Sequence, residues 1–294
     1  MSFSLHQKLA ALRAQLPPGT DAFRLLDGTL WPGVFVDVLA DRFLVSLRDV
    51  ALPQALRREL VATGAPVYLK QLSQDDKRPP QQMAGPELPL RFCISENGLR
   101  FMMDMSTGYS QGIFLDQRDN RARLRSLCKP GMTVLNTFAY TGAFSVYAAA
   151  AGATTTTLDL AQPCLDWCRE NMQLNGIDPA EHFFCKGDAL SWMGRFARKE
   201  YRFDIIVLDP PTFSRDEKGH VWKAERHYDR LVALAAACLK PHGCLLCTTN
   251  CRRLSPEAFR TMVAAGIPGA RLRAVSMPFD FEGEPYLKIL WAER

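Results

Sequence analysis

The chain has no apolar run long enough to cross a membrane. Its longest candidate, Leu231 to Leu239, is a short helical face, well under the roughly 18 residues a span requires. Its first residues, Met-Ser-Phe-Ser-Leu-His-Gln-Lys, lack the charged start, apolar middle and cleavage site of a secretory signal, so a cytoplasmic protein is expected. Histidine is scarce, with five in 294 residues, and His220 and His227 stand seven apart with no third ligand; no metal site is expected there. No segment repeats at a fixed period, which argues against a solenoid or propeller. The dinucleotide fingerprint G-x-G-x-x-G is also missing, because only Gly142 occupies the first strand-to-helix turn.

What is present is ordinary for a globular protein: 47% hydrophobic and 23% charged residues with a net charge of +5. That balance permits a polyanionic partner without demanding one. The nine cysteines are odd in number and sit mostly inside apolar runs, so they read as buried thiols rather than a disulfide framework. Cys244-x-x-Cys247 lies in a strand-like run, where positions three apart face opposite sides, and Cys164 with Cys168 makes half a site at best.

The pattern changes near residue 110. Before it, Leu5, Leu9, Leu12 and Leu16 mark an amphipathic helix ended by Pro17-Pro18-Gly19. Val34–Val38 with Phe43–Leu47, and Arg91–Ser95 with Leu99–Met103 around Asn97-Gly98, predict two hairpins. A helix from Pro53, a strand at Val67–Leu72 and a polar loop from Ser73 to Pro86 complete a small β-rich domain, residues 1–110. From 111 to 294 helices and strands alternate. Strands are expected at Thr133–Phe138, Thr154–Asp159, His182–Cys185, Phe203–Leu208 and Cys244–Thr249, with helices at Leu115–Leu127, Ala143–Ala151, Gln162–Asn175, Ala189–Arg198 and Lys223–Leu239. This predicts an α/β doubly wound, mostly parallel sheet, closed by an antiparallel edge hairpin near Leu272–Met277 and Tyr286–Trp291.

Chemistry concentrates at the strand ends. In Phe203-Asp-Ile-Ile-Val-Leu-Asp-Pro-Pro-Thr-Phe213 a strand buried on both faces stops at Asp209, and Pro210 and Pro211 force a stiff exit. The carboxylate, carbonyls and Phe213 displayed there suit a planar nucleobase, at the carboxyl end of a central strand, where such folds bind ligands. Asn136 and the turn Phe138-Ala139-Tyr140-Thr141-Gly142 open a helix whose N-terminus a ligand can approach closely. Asp159, about 20 residues on, is placed for a ribose hydroxyl pair, with Leu160 next to it. Asp188-Ala189 follows the next strand, its acid within reach of an adenine amino group. For any one acid a helix N-cap is the better explanation; four strand ends in register suit an adenosine-containing ligand without a pyrophosphate.

Gly108-Tyr-Ser-Gln-Gly-Ile-Phe-Leu-Asp-Gln-Arg-Asp-Asn-Arg121, Leu135–Ser145, Leu158-Asp-Leu160 and Leu208-Asp-Pro-Pro-Thr-Phe-Ser214 resemble the RlmI/RlmK-type bacterial ribosomal RNA methyltransferases, over roughly residues 20 to 294 and in order. The resemblance implies a class I fold, S-adenosylmethionine as cofactor and large-subunit rRNA as partner. It further implies that Asn136 to Gly142 holds the methionine part, Asp159 the ribose and Asp188 the adenine, while Asp116 and Arg118 belong to a segment that closes over the cofactor. Family members often begin with an RNA-binding PUA domain, for which the short N-terminal helix leaves no room.

The methylated atom turns on one position. Cytosine carbon 5 needs a cysteine to add to the ring first, and alignment on Leu245-Leu246 puts Asn250, rather than Cys251, in the nucleophile's place. The expected acceptor is therefore a purine ring nitrogen, guanine N7, oriented by Asp209, Pro210, Pro211 and Asn250 and stacked on Phe213. A slipped register that restores Cys251 is the alternative, and Glu284-Pro-Tyr-Leu-Lys288 looks more like that cytosine branch. RNA contacts are expected from Arg121 on a helix shared with Arg118, Arg123 and Arg125, from Arg252, and from Trp222 in a basic stretch with Arg215, Lys218, His220, Lys223, Arg226 and His227. A solvated helix face and a capping surface loop are the plain readings of those two stretches. An rRNA-binding assembly factor without turnover, or a small-molecule methyltransferase, stays open.

Overall fold

The computed structural model describes residues 3–73, 78–108, 110–215 and 221–294, so Lys218 and His220 lie outside the described residues. The chain divides into two compact units, Met1–Arg118 with Pro278–Glu284, and Asp119–Met277 with Pro285–Arg294. The division falls after the first residue of a helix rather than near residue 110, and a late segment returns to the first unit.

In the first unit, helix α1 (Leu5–Arg13) starts at Ser4, whose hydroxyl accepts from the Gln7 amide, and buries Leu5, Leu9 and Leu12. Those residues share one core with Leu56 and Leu60 of α2 (Gln54–Ala62) and the inner faces of a five-stranded sheet. The sheet runs in order β1 (Ala22–Asp27), β2 (Val34–Leu39), β3 (Arg42–Leu47), β4 (Val67–Gln71), β5 (Gln81–Ala84), with only β3 and β4 parallel. The strand β5 falls within the stretch expected to be a loop. Gln81 and Gln82 stay exposed while Met83 and Ala84 pack on the core, which leaves no alternating hydrophobic signal to read. A separate hairpin joins β6 (Arg91–Glu96) to β7 (Leu99–Asp104), with Asn97 at φ 52° and Gly98 at φ 77°, the two left-handed positions of a type I′ turn.

The second unit holds a seven-stranded sheet in order β10 (Phe183–Lys186), β9 (Thr154–Asp159), β8 (Thr133–Thr137), β11 (Phe203–Leu208), β14 (Leu239–Thr249), β16 (Lys288–Glu293), β15 (Arg271–Ala274). The first five are parallel; β16 is antiparallel to both neighbours. Strands β12 (Phe213–Arg215) and β13 (Val221–Lys223) form a separate antiparallel pair. The chain winds outward from β8 through β9 to β10, then restarts beside β8 at β11. That reversal is a topological switch point, which places a crevice at the carboxyl ends of β8 and β11.

Successive residues of β11 supply opposite cores. Ile206 and Leu208 join α6 (Ala189–Arg198), α7 (Ala224–Ala237) and α8 (Pro256–Gly266) on one face, whereas Ile205 and Val207 join α3 (Arg118–Leu127) and α4 (Ala143–Ala149) on the other. A strand buried on both sides must be apolar throughout, and each such side chain contributes about 1.5–3 kcal/mol on burial. Helix α8 is absent from the sequence reading, although Ser255 caps it through the Ala258 amide and Pro256 opens it, a recognised start signal. The remaining helix, α5 (Gln162–Leu174), follows β9.

Candidate active site

The turn after β8 is built from strained backbone. Phe138 and Tyr140 sit at φ 54° and 49°, and Gly142 at φ 74°, in the left-handed region that non-glycine residues seldom enter. Hydrogen bonds hold it there. The Ala139 amide donates to Leu158 O at 3.0 Å and the Gly142 amide to Ala139 O at 2.9 Å. The Tyr140 amide donates to Asp159 Oδ2 at 2.8 Å, and Asn171 Nδ2 donates to Thr141 O at 2.9 Å. Gly142 also has no room for a side chain, since a Cβ would lie 1.9 Å from Cys168 Sγ on α5. Behind the turn a buried ladder runs from Asn136 Nδ2 to Ser145 Oγ at 3.0 Å and on to Thr157 Oγ1 at 2.8 Å.

Asp159 ends β9 and holds both sides of its own turn, accepting from Tyr140 N and, at 2.9 Å, from Ala161 N. Burial raises its carboxyl above the ordinary 3.8, with hydrogen bonds from the amides of Ala161, Tyr140 and Leu160 pulling the other way. Leu160 beside it is 36% exposed. Asp188 caps α6, accepting from the Ser191 amide at 2.8 Å, with Ala189 buried as the first helical residue. Asp188 therefore serves as a helix N-cap, whereas Asp159 closes the turn ahead of α5, whose N-cap is Ala161; the two acids follow adjacent strands.

The turn after β11 is held by side chains instead. Asp209 Oδ1 accepts a very short hydrogen bond from the Thr248 hydroxyl. The buried Tyr228 hydroxyl is shared between Leu208 O at 3.0 Å and Thr248 O at 2.8 Å, tying the ends of β11 and β14 together. Burial, then the nearby Cys247 and Asp209, push the Tyr228 phenol well above its usual range, so it stays a donor. Thr212 Oγ1 donates to Asn250 Oδ1 at 3.0 Å and Trp222 Nε1 to Pro211 O at 3.0 Å. Tyr228, Thr248 and Thr212 were not singled out in the sequence; tertiary proximity, rather than any motif, reveals them.

The sequence candidates separate accordingly. Asn136, Phe138, Ala139, Tyr140, Thr141, Gly142, Asp159, Asp188 and Asp209 gather at neighbouring strand ends. Asn250 is exposed just after β14, as are Arg252 and, on the turn after β11, Phe213 at 54%. Trp222 and Arg121 do not face a surface. Trp222 is 7% exposed, and Arg121 is 2% exposed over the Phe144 and Tyr147 rings; both expected RNA contacts are interior groups. Arg118 belongs to the first unit, where its guanidinium pairs with Asp280 Oδ1 at 2.6 Å and is 1% exposed; Asp116 precedes it there. Cys251 is 1% exposed, its thiol facing Glu225 Oε2 at 3.9 Å. Other thiols are pushed up by burial, Cys128 and Cys164 to about 11, Cys168 and Cys244 to about 12. Among the described residues no three metal-binding side chains converge, and no helix is long and apolar enough to cross a membrane.

A doubly wound sheet with a reversal at β8 and β11, and acids closing successive strands, defines the class I methyltransferase fold. The chain belongs to the S-adenosylmethionine-dependent methyltransferase family, whose profile matches residues 37–278. Ribosomal RNA large subunit methyltransferase K/L of Vibrio cholerae is 28% identical over 289 residues, covering 93% of this chain and 40% of its own length. Ribosomal RNA large subunit methyltransferase I of Shewanella denitrificans is 33% identical over 264 residues, covering 84% and 65% respectively. The chain thus spans under two thirds of either curated relative. The crystal structure of SMU.776 complexed with SAH superposes with a TM-score of 0.85 at 28% identity, over 100% of this chain and 83% of that one.

Proposed function

We propose that the chain methylates a base of large-subunit ribosomal RNA in the cytoplasm, with guanine N7 as the acceptor. The single observation that carries the choice of atom is the contrast between Asn250 and Cys251. Asn250 is exposed at the end of β14, and its Oδ1 is engaged by Thr212, which leaves its amide N–H groups as donors. A donor there suits guanine O6, the neighbour of N7. Cys251 is buried and turned towards Glu225, so its sulfur is not presented for addition to a cytosine ring.

The donor set supports S-adenosylmethionine as the group bound. Asp159 and Asp188 offer carboxylates to hydroxyl and amino donors. S-adenosylmethionine supplies an electrophilic methyl group. The chain's own work is positioning. Asp209, anchored by Thr248, accepts from the base; the Pro210 carbonyl adds a second acceptor; Phe213 offers a stacking face. Arg252 is assigned a phosphate contact.

The test is incubation with methyl-labelled S-adenosylmethionine and unmodified large-subunit rRNA, then digestion to nucleosides. Labelled 7-methylguanosine is expected, and Asp209→Asn should lower its rate about 100-fold with cofactor affinity retained. Labelled 5-methylcytidine would restore Cys251 as nucleophile. No label with cofactor binding intact would point to an assembly factor or a small-molecule enzyme.

A further inference from the structure

We infer that Trp222 is a positioning residue that mechanically links the turn after β8 to the turn after β11. The inference rests on reading those turns as the cofactor and base loops. Trp222 lies on β13 opposite Ser214 of β12. Its indole N–H reaches Pro211 O at 3.0 Å, while its ring lies 6.4 Å from the Phe138 ring at 37° and 5.7 Å from the His227 ring. One side chain therefore touches both turns.

Each contact falls where it has leverage. Pro211 follows another proline, so φ is fixed at both residues and fixing the Pro211 carbonyl orients the whole exit from Asp209. Phe138 is one of the left-handed residues of the other turn, at φ 54°, and a neighbouring ring packed on its side chain resists relaxation. The indole N–H is not needed to hold the strand pair itself. That pair is already registered by Phe213 with Lys223 and Arg215 with Val221, and anchored by the Ala224 amide donating to Thr212 O at 3.1 Å. The N–H thus acts on the position of Pro211, and the ring carries any shift of Phe138 to it. Occupation of the cofactor loop should set the posture of the base loop.

Trp222→Phe keeps a ring on Phe138 and removes only the donor. Relative to wild type, the variant should bind S-adenosylhomocysteine within about twofold by calorimetry and keep KM for rRNA. Its kcat should fall about tenfold, the effect of one lost hydrogen bond. In protein labelled with 5-fluorotryptophan, the fluorine resonance that vanishes in Trp222→Phe should shift when S-adenosylhomocysteine is added. An unchanged kcat would overturn the inference, as would parallel losses of melting temperature, affinity and kcat, which mark a purely structural role. So would an unmoved resonance while calorimetry shows the ligand bound. A moved resonance with no RNA labelled sinks the RNA reading and leaves the linkage standing. Absence of S-adenosylhomocysteine binding by wild type sinks the cofactor site and the linkage together.

Discussion

The two turns that flank the switch point are held by opposite means. After β8 the chain enters left-handed conformations at Phe138, Tyr140 and Gly142, secured chiefly by backbone amides that end on Leu158, Ala139 and Asp159. After β11 the prolines fix the path, and the remaining freedom is removed by the side chains of Thr248, Tyr228, Thr212 and Trp222. The first turn stores strain and tolerates almost no change of shape. The second is a set of separable props, each removable by itself. A strained backbone makes a fixed cradle, whereas props allow a loop to be adjusted.

The largest effect should come from breaking the cradle. Gly142→Ala forces a side chain at φ 74° and sets its Cβ against Cys168. About 3 kcal/mol of unfolding free energy should be lost in urea titration, from overpacking and left-handed strain together. Adding Cys168→Ala should restore less than half, because the residue-168 Cβ itself lies 2.5 Å from the new atom and the strained φ persists. Full recovery in the double variant would show that packing alone, with no share from the backbone, restricts this position.

Removing one prop should do less. Tyr228→Phe deletes the hydroxyl that bridges Leu208 O and Thr248 O and should lower stability by about 1–2 kcal/mol. Cofactor affinity should stay within about twofold, since no atom of the turn after β8 depends on that hydroxyl. Should affinity collapse, the two turns are one cooperative unit and the contrast between them is false.

How much of this was legible in the sequence follows from the same contrast. The turn after β11 announced itself, because an apolar run that stops at Asp-Pro-Pro has few ways to continue. The acids at the ends of β9 and β10 and the single glycine of the first turn were also readable. The props were not: Trp222 reads as a surface aromatic among basic residues, and only the antiparallel pairing of β12 with β13 turns it inward. Cys251 and Asn250 are adjacent in sequence, so only the observed backbone decides which one is buried. The edge strand β5 has no hydrophobic period, and the return of Pro278–Glu284 to the first unit depends on a partner, Asp280 for Arg118, 162 residues apart. Helix α8 is different, since its Ser-Pro start was in plain view.

The smallest effect separates Asp159's two duties. Its carboxyl is raised by burial, with the amides of Ala161, Tyr140 and Leu160 offsetting only part of that. A carboxyl whose folded value lies above the unfolded one binds more protons when folded. Its stabilising contribution is therefore complete below 3.8 and disappears as pH rises through the folded value. In the unliganded protein, ionised Asp159 accordingly works against the turn it holds. Measured by urea unfolding from pH 3.5 to 7, wild type should lose stability relative to Asp159→Asn as pH rises, while the variant loses cofactor affinity throughout. A difference curve of the opposite slope would mean that the amide hydrogen bonds outweigh burial. The first turn would then be strengthened, not strained, by its carboxylate, and Asp159 would act as a prop like those after β11.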